Sequence, residues 1–196
     1  MTKIDTKTKI INSTLDLIDE KPFPEVRTKE IAENAGIAEV TIFRHFDSKD
    51  SILNSLIDYF INFINPVDYS NITTEEEFKE ELILTLKKIS DVNYFKRKLL
   101  KFILYIGMYK QSTFFRFVDI ANVQIFGPLE QRIEFGKKEW GYDKKINSKV
   151  QVRLFINSIG LFIIQQKVFM AEKFEKYDFD EIITTAVDNF LKSLNP

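Results

Sequence analysis

The chain has no cysteine, which excludes disulfides, thiol catalysis and zinc–cysteine centres. It has one histidine, His45, and a single imidazole without a second histidine makes no convincing transition-metal site. An excess of charge is missing too, with 28 basic against 29 acidic residues and a net charge of -1. The apolar stretches near Leu99–Tyr109 and Ile159–Ile164 are too short to span a bilayer, and the opening MTKIDTKTKIINS lacks the apolar core of a signal peptide. A cytoplasmic location is expected, with no membrane partner, and the Asn12-Ser-Thr and Asn71-Ile-Thr sequons carry no meaning there. There is no glycine-rich phosphate loop, no nucleophile elbow and no His-Glu metal helix. The carboxylates Glu75, Glu76 and Glu77 stand at a helix start, where capping and the helix dipole account for them. No catalytic residue, metal ligand or cofactor is therefore expected. No internal repeat, low-complexity tract or convincing alternating strand pattern occurs.

What is present is a helical pattern almost throughout. With 44% apolar residues, 19 of all residues being phenylalanine, the chain can bury a sizeable core. The most informative segment is Thr28–Asp50, TKEIAENAGIAEVTIFRHFDSKD. Thr28 offers an N-cap and Glu30 a first-turn carboxylate, while Ile31, Ala32 and Ala35 form an apolar face. Gly36 stands where a helix ends in a left-handed residue. Ile42 and Phe46 lie four apart on the buried face of the next helix, and Ala38, Glu39, Thr41, Phe43, Arg44 and His45 look outward or sideways. Ser48 caps a further helix starting at Lys49. Two short helices joined by a glycine turn suit a helix-turn-helix, whose second helix enters the DNA major groove, and by spacing alone suit a plain helical hairpin about as well.

In order, IAENAG, IAEVTIFRHF and DSKDSIL are similar to the DNA-binding domain of TetR-family transcription regulators. That pattern is an Ile-Ala pair, an Ala-Gly turn, a Thr-aliphatic-Tyr run, a His-Phe pair and a Ser-Lys-acid triplet. The resemblance covers about the first quarter of the chain; beyond it, only length and helical layout agree. Two positions depart. Val40 stands where the family often has a small residue. Phe43 replaces the usual tyrosine, keeping its packing against sugar but losing the hydroxyl that donates to a phosphate. Lys49 matches the family lysine that approaches phosphate. The expected DNA contacts are Lys29, Thr41, Phe43, Arg44, His45 and Lys49, with Thr28, Ala38 and Glu39 completing the interface. Arg44 suits either a guanine edge or a phosphate, and Thr41 either a thymine methyl or a phosphate. Residues 1–50 hold eight basic and ten acidic residues, so non-specific phosphate binding is expected to be modest and specific binding to rest on a small patch.

The fold expected is all-α, roughly nine helices, with a helix-turn-helix domain at residues 1–46. A larger helical effector-binding and dimerisation domain spans 47–196, the helix 49–64 joining the two. Asn65-Pro66 breaks that joining helix. Thr74 with Glu77 makes a capping box for the next, Gly127-Pro128 kinks a long helix ending near Trp140, and Asp178 with Glu181 caps the last. The helix over Asn147–Ala171 is apolar on more than one face, through Val152, Leu154, Phe155, Ile156, Ile159, Leu161 and their neighbours, which suggests that a second subunit covers it. Ser158 and Gly160 suit close helix approach. The resemblance implies the same: a homodimer through the last two helices, matched to a palindromic operator. It also implies a small apolar effector, for which Phe102, Tyr105, Met108, Tyr109, Phe114, Phe117, Asn122, Phe126 and Asn157 are the candidate lining. The function implied is a DNA-binding transcription regulator, a repressor released by that effector. The alternative is an all-α small-molecule sensor or adaptor whose helix-turn-helix no longer reads an operator.

Overall fold

The structure, a computed structural model, describes residues 5–64, 68–91 and 94–195; the expected break at Asn65-Pro66 lies outside the described residues. Among them all regular structure is helical. The elements are α1 (Thr6–Glu20), α2 (Thr28–Ala35), α3 (Glu39–His45), α4 (Lys49–Ile64), α5 (Glu75–Ser90), α6 (Tyr94–Tyr109), α7 (Gln111–Ala121), α8 (Gly127–Glu139), α9 (Ser148–Ile163) and α10 (Phe179–Leu194). A π turn over Asn122–Phe126 links α7 to α8, and counting that run as one helix makes nine. The all-α class, with a helix-turn-helix ahead of a larger helical part, is as the residue pattern indicates.

By compactness the chain forms two units, one of Met1–Phe63 with Tyr94–Phe117, the other of Ile64–Asn93 with Val118–Pro196. In the first, Asp5 caps α1 by accepting from the Thr8 amide at 3.0 Å, and Ile10 and Leu15 enter the core. Ile31, Ile42, Phe46, Ile52, Leu56 and Ile57 from α2 to α4 join them, together with Leu99, Phe102 and Ile106 of α6. Cations on α6, on α7 and at the joint between them meet aspartates on α1 and α4: Lys98 with Asp16, Lys101 with Asp19, Lys110 with Asp50 at 3.0 Å, and Arg116 with Asp58 at 2.5 Å. Arg116 also donates to the Asn54 carbonyl at 2.8 Å.

In the second unit α10 packs on α5 and α9, with Phe155 and Phe190 stacked at 4.1 Å. The expected capping box is there: the Glu77 amide donates to Thr74 Oγ1 at 3.2 Å, and Glu77 Oε2 accepts from the Thr74 amide at 3.1 Å. Asp178 accepts from the amides of Asp180 and Glu181, as its position predicts. The buried guanidinium of Arg132 donates to the carbonyls of Tyr69 and Ile72, and Trp140 Nε1 donates to the Thr73 carbonyl at 2.9 Å. Where a kink is expected at Gly127-Pro128, the helix carries the π turn over Asn122–Phe126. Pro128 has no amide to give, and the Gly127 amide reaches five residues back to the Asn122 carbonyl. The end of α9 differs from expectation. α9 ends its α-helical run at Ile163, continues as a π turn to Val168, and stops before Met170, which holds φ at 61°.

Candidate nucleic-acid interface

The helix-turn-helix is built from backbone constraints outward. Gly36 has φ 67° and ψ 38°, so the chain reverses in the left-handed region. Its amide donates to the Glu33 carbonyl at 3.1 Å and that of Ile37 to the Ala32 carbonyl at 3.0 Å, the paired bonds of a Schellman turn. The start of α2 corrects one expectation. Arg27, not Thr28, holds the N-cap position, and Glu30 serves the cap from inside the helix by accepting from the Arg27 amide at 2.8 Å. The Lys21 ammonium, 2.6 Å from Glu30, and then the Arg27 amide hold that carboxyl below the usual carboxylate range. Thr28 is thereby the first helical residue, and its hydroxyl donates across to Glu39 Oε1 at 2.5 Å, tying α2 to the first turn of α3.

On α3, Ile42 at 0% and the following Phe46 at 4% exposure anchor the helix to the core. Ala38, Glu39, Phe43, Arg44 and His45 are exposed and Thr41 is half-buried. Lys29 is exposed on α2, with Glu33 one turn on at 3.9 Å. Lys49 is placed differently from these. Its ammonium donates to the Pro24 carbonyl at 3.1 Å and lies 4.4 Å from the Phe23 ring centroid, and burial pushes its pKa down. Reaching a phosphate from there requires Lys49 to leave both partners. α4 starts as expected, the Ser51 amide donating to Ser48 Oγ at 3.1 Å.

The residue that the pattern did not single out as a contact is Val40. It is 58% exposed on α3, beside Phe43 at 53%. Its spacing of four from Arg44 was the available signal, since residues four apart share a helix face.

The nine candidate effector residues divide between the two compact units. Phe102, Tyr105, Met108, Tyr109, Phe114 and Phe117 belong to the first, and Asn122, Phe126 and Asn157 to the second. Phe102 is buried, Tyr105 packs on Phe23 and Tyr109, and Phe117 meets Phe60 edge-on at 5.6 Å. Met108 and Tyr109 are about two-thirds exposed, at 67% and 68%. In the second unit Arg153 lies 3.6 Å over the Phe126 ring and donates to Asn122 Oδ1, while Asn157 is exposed. A cleft of about 610 Å³ in the first unit is lined by Asp16, Glu20, Glu30, Glu33, Asn34 and Lys98, with Leu17. One of about 600 Å³ in the second is lined mainly by Glu130, Gln131, Glu134, Lys138, Asn147 and Ser148. Neither takes in any of the nine. Among the described residues no group of three or more His, Asp and Glu is placed to hold a metal ion, and no helix is long and apolar enough to cross a membrane.

The family model for bacterial regulatory proteins of the tetR family matches residues 10–56, which cover most of α1, then α2, the turn, α3 and the first half of α4. An uncharacterized HTH-type transcriptional regulator of Bacillus subtilis, YvkB, is 36% identical over 52 residues, 26% of this chain and 28% of that protein. The match thus spans less than a third of that curated relative. In fold the likeness runs from end to end. The fatty acid degradation regulator FadR from Bacillus halodurans superposes with a TM-score of 0.73 at 17% identity, over 99% of this chain and 98% of that one. SmeT, solved as a complex with triclosan, gives 0.71 at 13% identity over 96% and 90%. Residues 10–56 thus carry the sequence pattern of the tetR family model, and the whole chain shares the fold of these regulators.

Proposed function

We propose that this chain is a DNA-binding transcription regulator, a repressor that binds a palindromic operator as a homodimer in the cytoplasm. The observation that carries the reading is α3: a short helix framed by the Gly36 turn, buried through Ile42, with Phe43, Arg44 and His45 exposed. Residues 1–46 are the DNA-binding domain and 47–196 the effector-binding and dimerisation domain, joined by α4. Arg44 supplies a guanine edge or phosphate contact and Thr41 a thymine methyl or phosphate contact. Ala38, Phe43 and His45 line the groove, Lys29 approaches the backbone, and the Thr28–Glu39 hydrogen bond sets the angle between α2 and α3. Lys49 joins the phosphate contacts on release from Pro24.

Dimerisation through α9 and α10 is supported by the two apolar faces of α9. Val152, Phe155, Ile159 and Ile163 are buried within the second unit, whereas Val150, Leu154 and Leu161 are exposed. Gly160 has open space where a Cβ would stand, which suits close approach of a partner helix. The effector proposed is a small apolar compound, elongated or planar, with Phe102, Tyr105, Met108, Tyr109, Phe114 and Phe117 as candidate lining in the first unit and Asn122, Phe126 and Asn157 as candidates in the second. The reading draws support from the triclosan complex of SmeT, a protein of the same fold.

The test is to capture genomic DNA fragments on the purified protein at ~0.15 M salt, where non-specific phosphate binding is weak, and sequence them. A few sites sharing a palindrome are expected. A captured pool with the composition of the input overturns the operator and leaves the sensor or adaptor reading, which the inward-held Lys49 favours.

A further inference from the structure

An exposed valine by itself calls for no explanation. Val40 differs because of where it stands. At about 100° per residue, Val40 and Arg44 project nearly opposite Ile42, the buried anchor of α3, and Phe43 lies about 60° to one side of Val40. The outermost point of the helix is therefore half apolar: Val40 at 58% and Phe43 at 53% exposure make one continuous patch beside the Arg44 guanidinium. The neighbouring carboxylate is turned to another task, since Glu39 Oε1 accepts the Thr28 hydroxyl at 2.5 Å.

In the major groove every base presents polar atoms, and thymine alone adds a methyl group, at C5. A valine pressed against a cytosine or adenine amino group, or against guanine oxygen, strips water from it and returns no hydrogen bond. Against a thymine methyl it buries apolar surface on both sides. The difference between these outcomes is sequence selectivity.

We infer that Val40, walled by Phe43, is a specificity-determining residue that receives the 5-methyl group of a thymine in each operator half-site. This rests on the DNA-binding reading above. It adds to that reading a base identity and a residue outside the expected contact set.

The test replaces thymine with deoxyuridine, one position at a time and in both half-sites, in a duplex recovered by the fragment capture. The substitution removes a methyl and leaves every hydrogen-bonding group in place. At one thymine the wild-type protein is expected to lose about fourfold in affinity per half-site, the worth of one buried methyl-sized group. Val40→Ala is expected to bind the thymine duplex more weakly and to be indifferent to deoxyuridine at that same position. Alanine favours the helix, and far-UV circular dichroism checks that the head stays folded. Wild-type indifference at every thymine overturns the inference while leaving the regulator intact. So does a Val40→Ala variant that keeps full sensitivity at every position, because the methyl is then read by another residue. Failure to recover any specific duplex overturns the regulator reading itself, and the inference with it.

Discussion

Gly36 holds φ at +67° with nothing within 4 Å of the place a Cβ would occupy, so its role is conformational and owes nothing to lack of space. Gly36→Ala is expected to cost about 1–2 kcal/mol, the strain of a left-handed L-residue, with no added clash. Asparagine, which tolerates that region, is expected to cost less than alanine. Thermal unfolding of the two variants checks this, and equal melting temperatures would show that the turn does not depend on φ. Position 36 was legible in the sequence because a helix stop is local: an apolar face ends, and glycine follows at once. Lys49 was legible only by likeness. Nothing local reveals that its ammonium turns to the Pro24 carbonyl 25 residues earlier. Val40 lay between these cases, its place on the helix face readable from spacing and its exposure not.

At the scale of elements, helix ends show the same division. The Thr74–Glu77 box and the Asp178 cap were plain because donor and acceptor sit within three residues. At α2 the same local reasoning placed the cap one residue late, since Glu30 reaches back to Arg27 and makes a hydroxyl cap unnecessary. The amides of Thr73 and then Thr74 hold the Glu77 carboxyl below the usual carboxylate range. A carboxyl depressed in the fold contributes fully above its unfolded value, and that contribution fades as the pH falls through the folded one. Glu77→Gln is thus expected to be less stable than wild type at neutral pH, with the gap closing in strong acid. Denaturant titration across that range checks it, and a gap independent of pH would assign the effect to packing. The bonds that hold the segment before α5 were illegible: Arg132 and Trp140 reach carbonyls more than fifty residues earlier, and no pattern in a helix names such partners.

For the whole molecule, burial of α9 on one side and exposure on the other is what a symmetric partner requires. Leu154 is 63% exposed at the middle of that stripe. Leu154→Glu is expected to shift the protein to monomer in sedimentation velocity and to weaken operator binding, while thermal unfolding shows a folded protomer. A variant that remains dimeric would move the interface off α9. The all-α class and the head were readable because the helical period and turn chemistry repeat over short windows. The effector residues were not, because a stripe of phenylalanines has the same spacing whether it lines a cavity or fills a core. Sequence-specific DNA binding is measured most directly as a ratio of two dissociation constants by fluorescence anisotropy at ~0.15 M salt. One is for a captured duplex and the other for a scrambled duplex of equal length and composition. A regulator predicts at least about a thousandfold preference; a ratio near one would contradict the account.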